Sequence, residues 1–205
     1  MVLKTGRSER ERGEYCLELG GDICPHVYGF VEDGYIMETL QRADRDDQRL
    51  LIAMERALHR HVWFLPGAEK DWLTPLRQRI ECPAPPDHGP ARRTHGDSTV
   101  SNAMRRGDRT LVIIDPLPPR PHVAECPEAD MGRLLQSALG WEVLMYGDED
   151  MLWDPPEFWF DDQLRRAALW WCGATARRIM IGETRPVVLA WCVAVAERCF
   201  DEYRV

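Results

Sequence analysis

The spacing of apolar residues divides the chain into a strand-forming start and a helical remainder. Val2-Leu3-Lys4 reads as a short strand end, and Ser8 stands as an N-cap before an acidic first turn and a helix from about Glu9 to Leu19. Gly20-Gly21-Asp22 ends that helix. Val27-Tyr28-Gly29-Phe30-Val31 and Tyr35-Ile36-Met37 flank Glu32-Asp33-Gly34, which predicts strand, turn, strand. From Asp46 the period becomes helical, with Leu50, Leu51, Met54, Ala57, Leu58 and His61 at three- and four-residue intervals. Trp72 to Ile80 predicts another helical piece. Four prolines between Cys82 and Pro90 bar helix or central strand and predict a loop.

A compact segment follows: Asn102-Ala103-Met104, a Gly107-Asp108 turn, and Leu111-Val112-Ile113-Ile114 as a buried strand. Beyond the proline-rich stretch from Pro116 to Pro127, Asp130 opens a predicted helix through Leu134, Leu135 and Leu139, closed by Gly140. Two more helices are expected, one from about Gln163 to Ile181 and one from Pro186, suited to a first helical turn, through Phe200. No internal repeat or low-complexity tract occurs.

Composition narrows the classes. With 205 residues, 44% hydrophobic and 29% charged, the chain can bury a real core. A net charge of −8 argues against a nucleic-acid partner, because affinity for a phosphate backbone comes from clustered Lys and Arg. Charge is uneven: residues 91 to 124 hold six Arg against three acids, and residues 125 to 162 hold one Arg against eleven acids. No stretch approaches the roughly 20 apolar residues of a membrane span, and the N-terminus lacks signal-peptide order, so the expected location is cytoplasmic with no membrane partner. Seven scattered cysteines without a CxxC spacing predict free thiols packed as small apolar groups, with no zinc site.

Chemistry concentrates between Thr94 and Asp115. The string His95-Gly96-Asp97-Ser98-Thr99-Val100-Ser101-Asn102 sets a carboxylate five residues before a carboxamide, and Asp115 ends the apolar strand thirteen residues after Asn102. The bland alternative is an Asx-rich turn around a hairpin. Phosphoryl transfer, however, needs a carboxylate that accepts a hydroxyl proton together with hard oxygen ligands for Mg2+, and Asp-x4-Asn matches the catalytic-loop spacing of kinases.

On these residues the segment from Thr94 to Glu142 resembles the aminoglycoside phosphotransferase and choline kinase-like family, whose members carry His-Gly-Asp-x4-Asn followed by Ile-Asp. The stretch from Asp130 to Ser137 also resembles that family's Asp-containing helix supporting the metal loop. The resemblance implies Asp97 as catalytic base, Asn102 and Asp115 as Mg2+ ligands, and ATP as phosphate donor. It further implies Lys4 as the strand lysine on the α and β phosphates and Glu11 as its helix partner. Tyr35 to Leu40 would be the last strand and hinge, with the backbone of Glu38 and Leu40 meeting adenine.

The implied fold is α+β and protein kinase-like: a reduced N-terminal strand lobe, residues 1 to 40, ending in the hinge, and a mainly helical catalytic lobe, residues 41 to 205. Family members place two strands and a phosphate-covering loop ahead of the lysine, whereas three residues precede Lys4 here, so an N-terminally shortened chain is expected. A homodimer in which a second copy covers the phosphates is one way to make up the deficit.

The expected activity is phosphorylation of a hydroxyl on a small molecule, aminoglycoside-, sugar- or amino-alcohol-like. The acidic and aromatic stretch from Gly147 to Asp162 suits a cationic acceptor. Two alternatives stand beside it: a weak or inactive pseudokinase acting through nucleotide or protein binding, and a protein kinase, which the absence of Asp-Phe-Gly and Ala-Pro-Glu disfavours.

Overall fold

The computed structural model describes residues 1–43, 49–69, 71, 73–107, 109–120, 125–147 and 162–205. The protein is α+β. A first antiparallel sheet in the order β1-β3-β2 is made by β1 (Val2–Thr5), β2 (Val27–Val31) and β3 (Gly34–Met37), and α1 (Glu9–Leu19) packs on it. Tyr35, between Lys4 on one neighbour and Phe30 on the other, turns fully inward beneath α1. A Cβ on Gly13 of α1 would lie 2.6 Å from the Tyr35 ring, so the helix sits this close only because it carries glycine there.

The second sheet, in the order β4-β5-β6, follows at once: β4 is Gln41–Arg42, β5 is Ala103–Arg105 and β6 is Leu111–Ile113. Chain between Met37 and Gln41 therefore passes from one sheet into the other. Ala103 pairs with Ile113, which fixes the hairpin so that Asn102 and Asp115 emerge at the same end. Beyond it lie α2 (Leu50–His61), a short α3 (Leu73–Arg77), α4 (Pro127–Ala138), α5 (Trp141–Tyr146), α6 (Asp162–Ile179) and α7 (Pro186–Arg204).

Two apolar clusters hold these elements. One joins Tyr15, Cys16 and Leu19 of α1 to Leu50, Leu51, Met54 and Leu58 of α2, Ile113 of β6 and Met131 and Leu134 of α4. This core runs across residue 40, where the sheets change. The other is built on α4, α6 and α7 around Trp170, Cys172, Val195, Cys199 and Phe200. Gly132 lets α4 and α6 meet, since a Cβ there would fall 2.4 Å from the Trp171 Cβ. All seven cysteines are free, and six are buried in these cores as small apolar groups.

Several local expectations change. Ser8 occupies the N-cap position of α1 but has φ 77, a left-handed backbone in place of the extended one a capping serine adopts, and makes no side-chain cap. Helix α4 starts at Pro127, three residues ahead of Asp130, with proline at the first position where its missing N–H is harmless. Gly140, with φ 88, ends α4 and also begins α5, which the periodicity did not reveal. The expected helical onset at Asp46 and nearly all of the acidic, aromatic stretch from Gly147 to Asp162 lie outside the described residues. Among the described residues no helix is long and apolar enough to cross a membrane.

Candidate functional site

The loop from His95 to Asn102 is anchored from below by one face of α4. Asp130, buried, accepts the backbone N–H of His95 at 2.6 Å and that of Gly96 at 2.8 Å, while the Ser98 hydroxyl donates to the Asp130 carbonyl at 2.8 Å. Burial pushes the Asp130 carboxyl up to about 6, opposed by those same N–H donors. One helical turn further, Arg133 Nη2 donates to Asp97 Oδ1. Another turn on, Ser137 Oγ accepts the Val100 N–H at 3.2 Å and donates to Glu142 at 2.7 Å. Spacings of three and four put Asp130, Arg133 and Ser137 on one stripe of the helix, facing the loop.

Asn102 closes the loop on itself. Its Nδ2 donates to the Asp97 carbonyl at 2.8 Å and to Asp97 Oδ2 at 3.1 Å. The Asn102 carbonyl accepts the Ile114 N–H at 2.9 Å, which ties the loop to the residue before Asp115. Asp115 itself has φ 59, a left-handed backbone that a non-glycine residue adopts only when its surroundings enforce it. Lys4 on β1 reaches across from the first sheet, with Nζ 2.5 Å from Asp115 Oδ1. Thus two polar pairs, Lys4–Asp115 and Asp97–Asn102, lie at one end of the hairpin, linked by the backbone bond between Asn102 and Ile114.

His95 is fully buried, and with a proton on Nε2 its ring donates to the Ile113 carbonyl at 3.2 Å. Burial lowers its pKa to about 4, despite the nearby Asp97 carboxylate, so the ring is neutral. It braces the loop against β6. Tyr15 of α1 adds a second brace, donating to the Thr94 carbonyl at 2.6 Å.

The expected Lys4–Glu11 pair is not made. Glu11, half exposed, binds Arg120 Nη2 at 3.1 Å, because the α1 turn that carries it faces the 116–120 loop, and Lys4 takes Asp115 instead. Glu38 lies between the two sheets, where its N–H donates to the His26 carbonyl at 3.0 Å. Its carboxylate accepts Arg106 Nε at 2.8 and 3.1 Å and the His26 N–H at 2.8 Å, while Arg106 Nη2 also donates to the Cys24 carbonyl at 3.0 Å. Burial alone would raise the Glu38 carboxyl; the Arg106 and His26 bonds bring it below its ordinary value. Leu40 follows, partly buried, in the short strap before β4.

Arg133, 36 residues from Asp97, escapes sequence reasoning. Arg106, 68 from Glu38, is legible only as one of several arginines flanking the segment that could raise the local potential toward ATP, and not as the partner of Glu38. A signal for Arg133 was available: the polar positions Asp130, Arg133, Gln136 and Ser137 recur at helical spacing in a segment otherwise apolar.

Mg2+ takes hard oxygen donors, and the oxygens at issue are the Asn102 Oδ1 and the Asp115 carboxylate, whose Oδ1 is paired with Lys4 Nζ at 2.5 Å. Because the Asn102 Nδ2 is tied to Asp97, its Oδ1 remains the amide's acceptor. Among the described residues no group of three or more His, Cys, Asp or Glu gathers in a metal-binding arrangement. Compared with known proteins, the chain matches no family model, no curated protein and no solved structure.

Proposed function

We propose that the protein is an ATP- and Mg2+-dependent phosphotransferase of protein kinase-like architecture that phosphorylates a hydroxyl of a small molecule in the cytoplasm. The observation that supports it best is the joining of Asp97 and Asn102 to the Asp115 end of the β5–β6 hairpin, with Lys4 arriving from the other sheet. A lysine–carboxylate pair and a carboxylate–carboxamide pair at one end of the hairpin suit phosphoryl transfer, where catalysis is mostly positioning and charge stabilisation.

In this reading Asp97 orients the acceptor hydroxyl and takes its proton as the new bond from that oxygen to the γ-phosphorus of ATP forms and the bond from the γ-phosphorus to the β–γ bridging oxygen breaks, releasing ADP. Lys4 places positive charge where the phosphates lie. Asn102 and Asp115 would hold Mg2+, which supplies charge neutralisation between the phosphates. The backbone of Glu38 and Leu40 would meet the adenine, on a hinge whose path Arg106 fixes through Glu38. Neutral His95 moves no proton and keeps the loop in place.

The test is Mg-dependent phosphate release from ATP, alone and with amino-sugar, sugar and amino-alcohol acceptors, for the native chain and Asp97→Asn. Native turnover that falls by about 10²- to 10⁴-fold in the variant, with unchanged MgATP affinity by calorimetry, is expected. A native chain that neither binds MgATP nor releases phosphate with any acceptor overturns the reading.

A further inference from the structure

We propose that Arg133 is the positioning residue for the Asp97 base, holding its carboxylate in the orientation that meets an acceptor hydroxyl. The inference rests on the phosphotransfer reading and adds a residue to it.

The geometry divides the work along α4. Asp130 fixes the loop backbone through the His95 and Gly96 N–H groups, which settles where the main chain of Asp97 lies but leaves its side-chain torsions free. Arg133, one turn on, acts on the side chain itself: Nη2 donates to Asp97 Oδ1, and Asn102 Nδ2 holds Oδ2 at 3.1 Å. With each oxygen bound by a different element, rotation about the carboxylate is stopped from two sides. Arg133 is in turn fixed, because Nη1 donates to Oε1 of Gln136, a side chain buried completely within the helix layer. A planar guanidinium locked at one end and bonded to the base at the other transmits the rigidity of α4 to a single carboxylate. Only a fifth of the Arg133 side chain is exposed, so the contact is shielded from solvent competition in a way that a surface ion pair is not.

A purely structural ion pair would have a different signature: its loss would lower stability and leave turnover by the folded fraction unchanged. Phosphate release from MgATP separates the two. Arg133→Met is expected to lower kcat by about tenfold to a hundredfold, with KM for MgATP within about twofold of native, since the nucleotide contacts lie elsewhere. Arg133→Lys, which keeps the charge and tolerates folding better, is expected to recover part of the loss. Guanidinium ion added at a concentration well below denaturing is expected to raise the kcat of Arg133→Ala and not that of the native chain.

Asp97→Asn run alongside separates the failures. If it is inactive while Arg133→Met and Arg133→Lys turn over as fast as native, the positioning role is overturned and the phosphotransfer reading stands. If Asp97→Asn is as active as native, the base assignment falls and the role of Arg133 falls with it.

Discussion

Glu55 shows how a single residue can act against the fold that contains it. It sits on the apolar face of α2 with Leu51, Met54 and Leu58, fully buried, and neither carboxylate oxygen has a hydrogen-bond partner among the described residues. Burial pushes its carboxyl up to about 7, so the native chain holds a proton that the unfolded chain releases near 4.5. Between those values the native state binds more protons, and stability falls as pH rises through the window. Above pH 7 the full cost remains, up to roughly 3 kcal/mol from the difference between the two pKa values. Glu55→Gln is therefore expected to stabilise the chain against urea at pH 8 and to make little difference at pH 4. Equal effects at both pH values would contradict a titrating Glu55. The helical period assigned this position correctly to α2, but nothing in a one-dimensional pattern marks a carboxylate as facing inward without a partner.

At the level of elements, close approach is set by glycine. Helices α4 and α6 touch at Gly132, where an added Cβ would meet the Trp171 Cβ at 2.4 Å and the Cys172 backbone nitrogen at 3.0 Å. Backbone cannot yield as a flexible side-chain tip does, so Gly132→Ala is expected to destabilise by about 1–3 kcal/mol despite alanine's better helix propensity. Thermal melting would show it, and an unchanged or raised Tm would mean that the helices can slide apart freely. Local pattern did reveal α1, the β2–β3 hairpin, α6 and α7, whose apolar spacing, prolines and glycines act within a few residues. It missed β4, two residues long, because that strand exists only through pairing with Arg105 and Met104 some 60 positions away. Likewise the Asp97-x4-Asn102 spacing was legible, whereas the Lys4–Asp115 contact spans 111 residues and Glu11 was drawn to Arg120.

Across the whole molecule the buried ionisable groups pull in opposite directions. His95, lowered to about 4 in the fold and near 6.5 when unfolded, binds fewer protons in the native state. Its contribution is complete above pH 6.5 and is lost as pH falls through 4. Glu55, and Asp130 with its carboxyl at about 6, act with the other sign over much of the same range. Native stability between pH 4.5 and 6.5 is thus a partial cancellation. His95→Gln is expected to remove one of the opposing slopes, so that its stability relative to native improves on acidification by up to roughly 3 kcal/mol beneath a constant offset for the lost Ile113 contact. Parallel stability curves for variant and native chain would refute this. A different kind of constraint follows from the polar stripe on α4. Because each residue turns a helix by about 100°, one codon inserted or deleted between Asp130 and Ser137 would swing one end of the stripe out of phase with the other. Such a change leaves composition and helix propensity almost untouched, yet no shift of the helix along its axis restores both ends. Length is thus as strict a constraint on this helix as the identity of its buried residues.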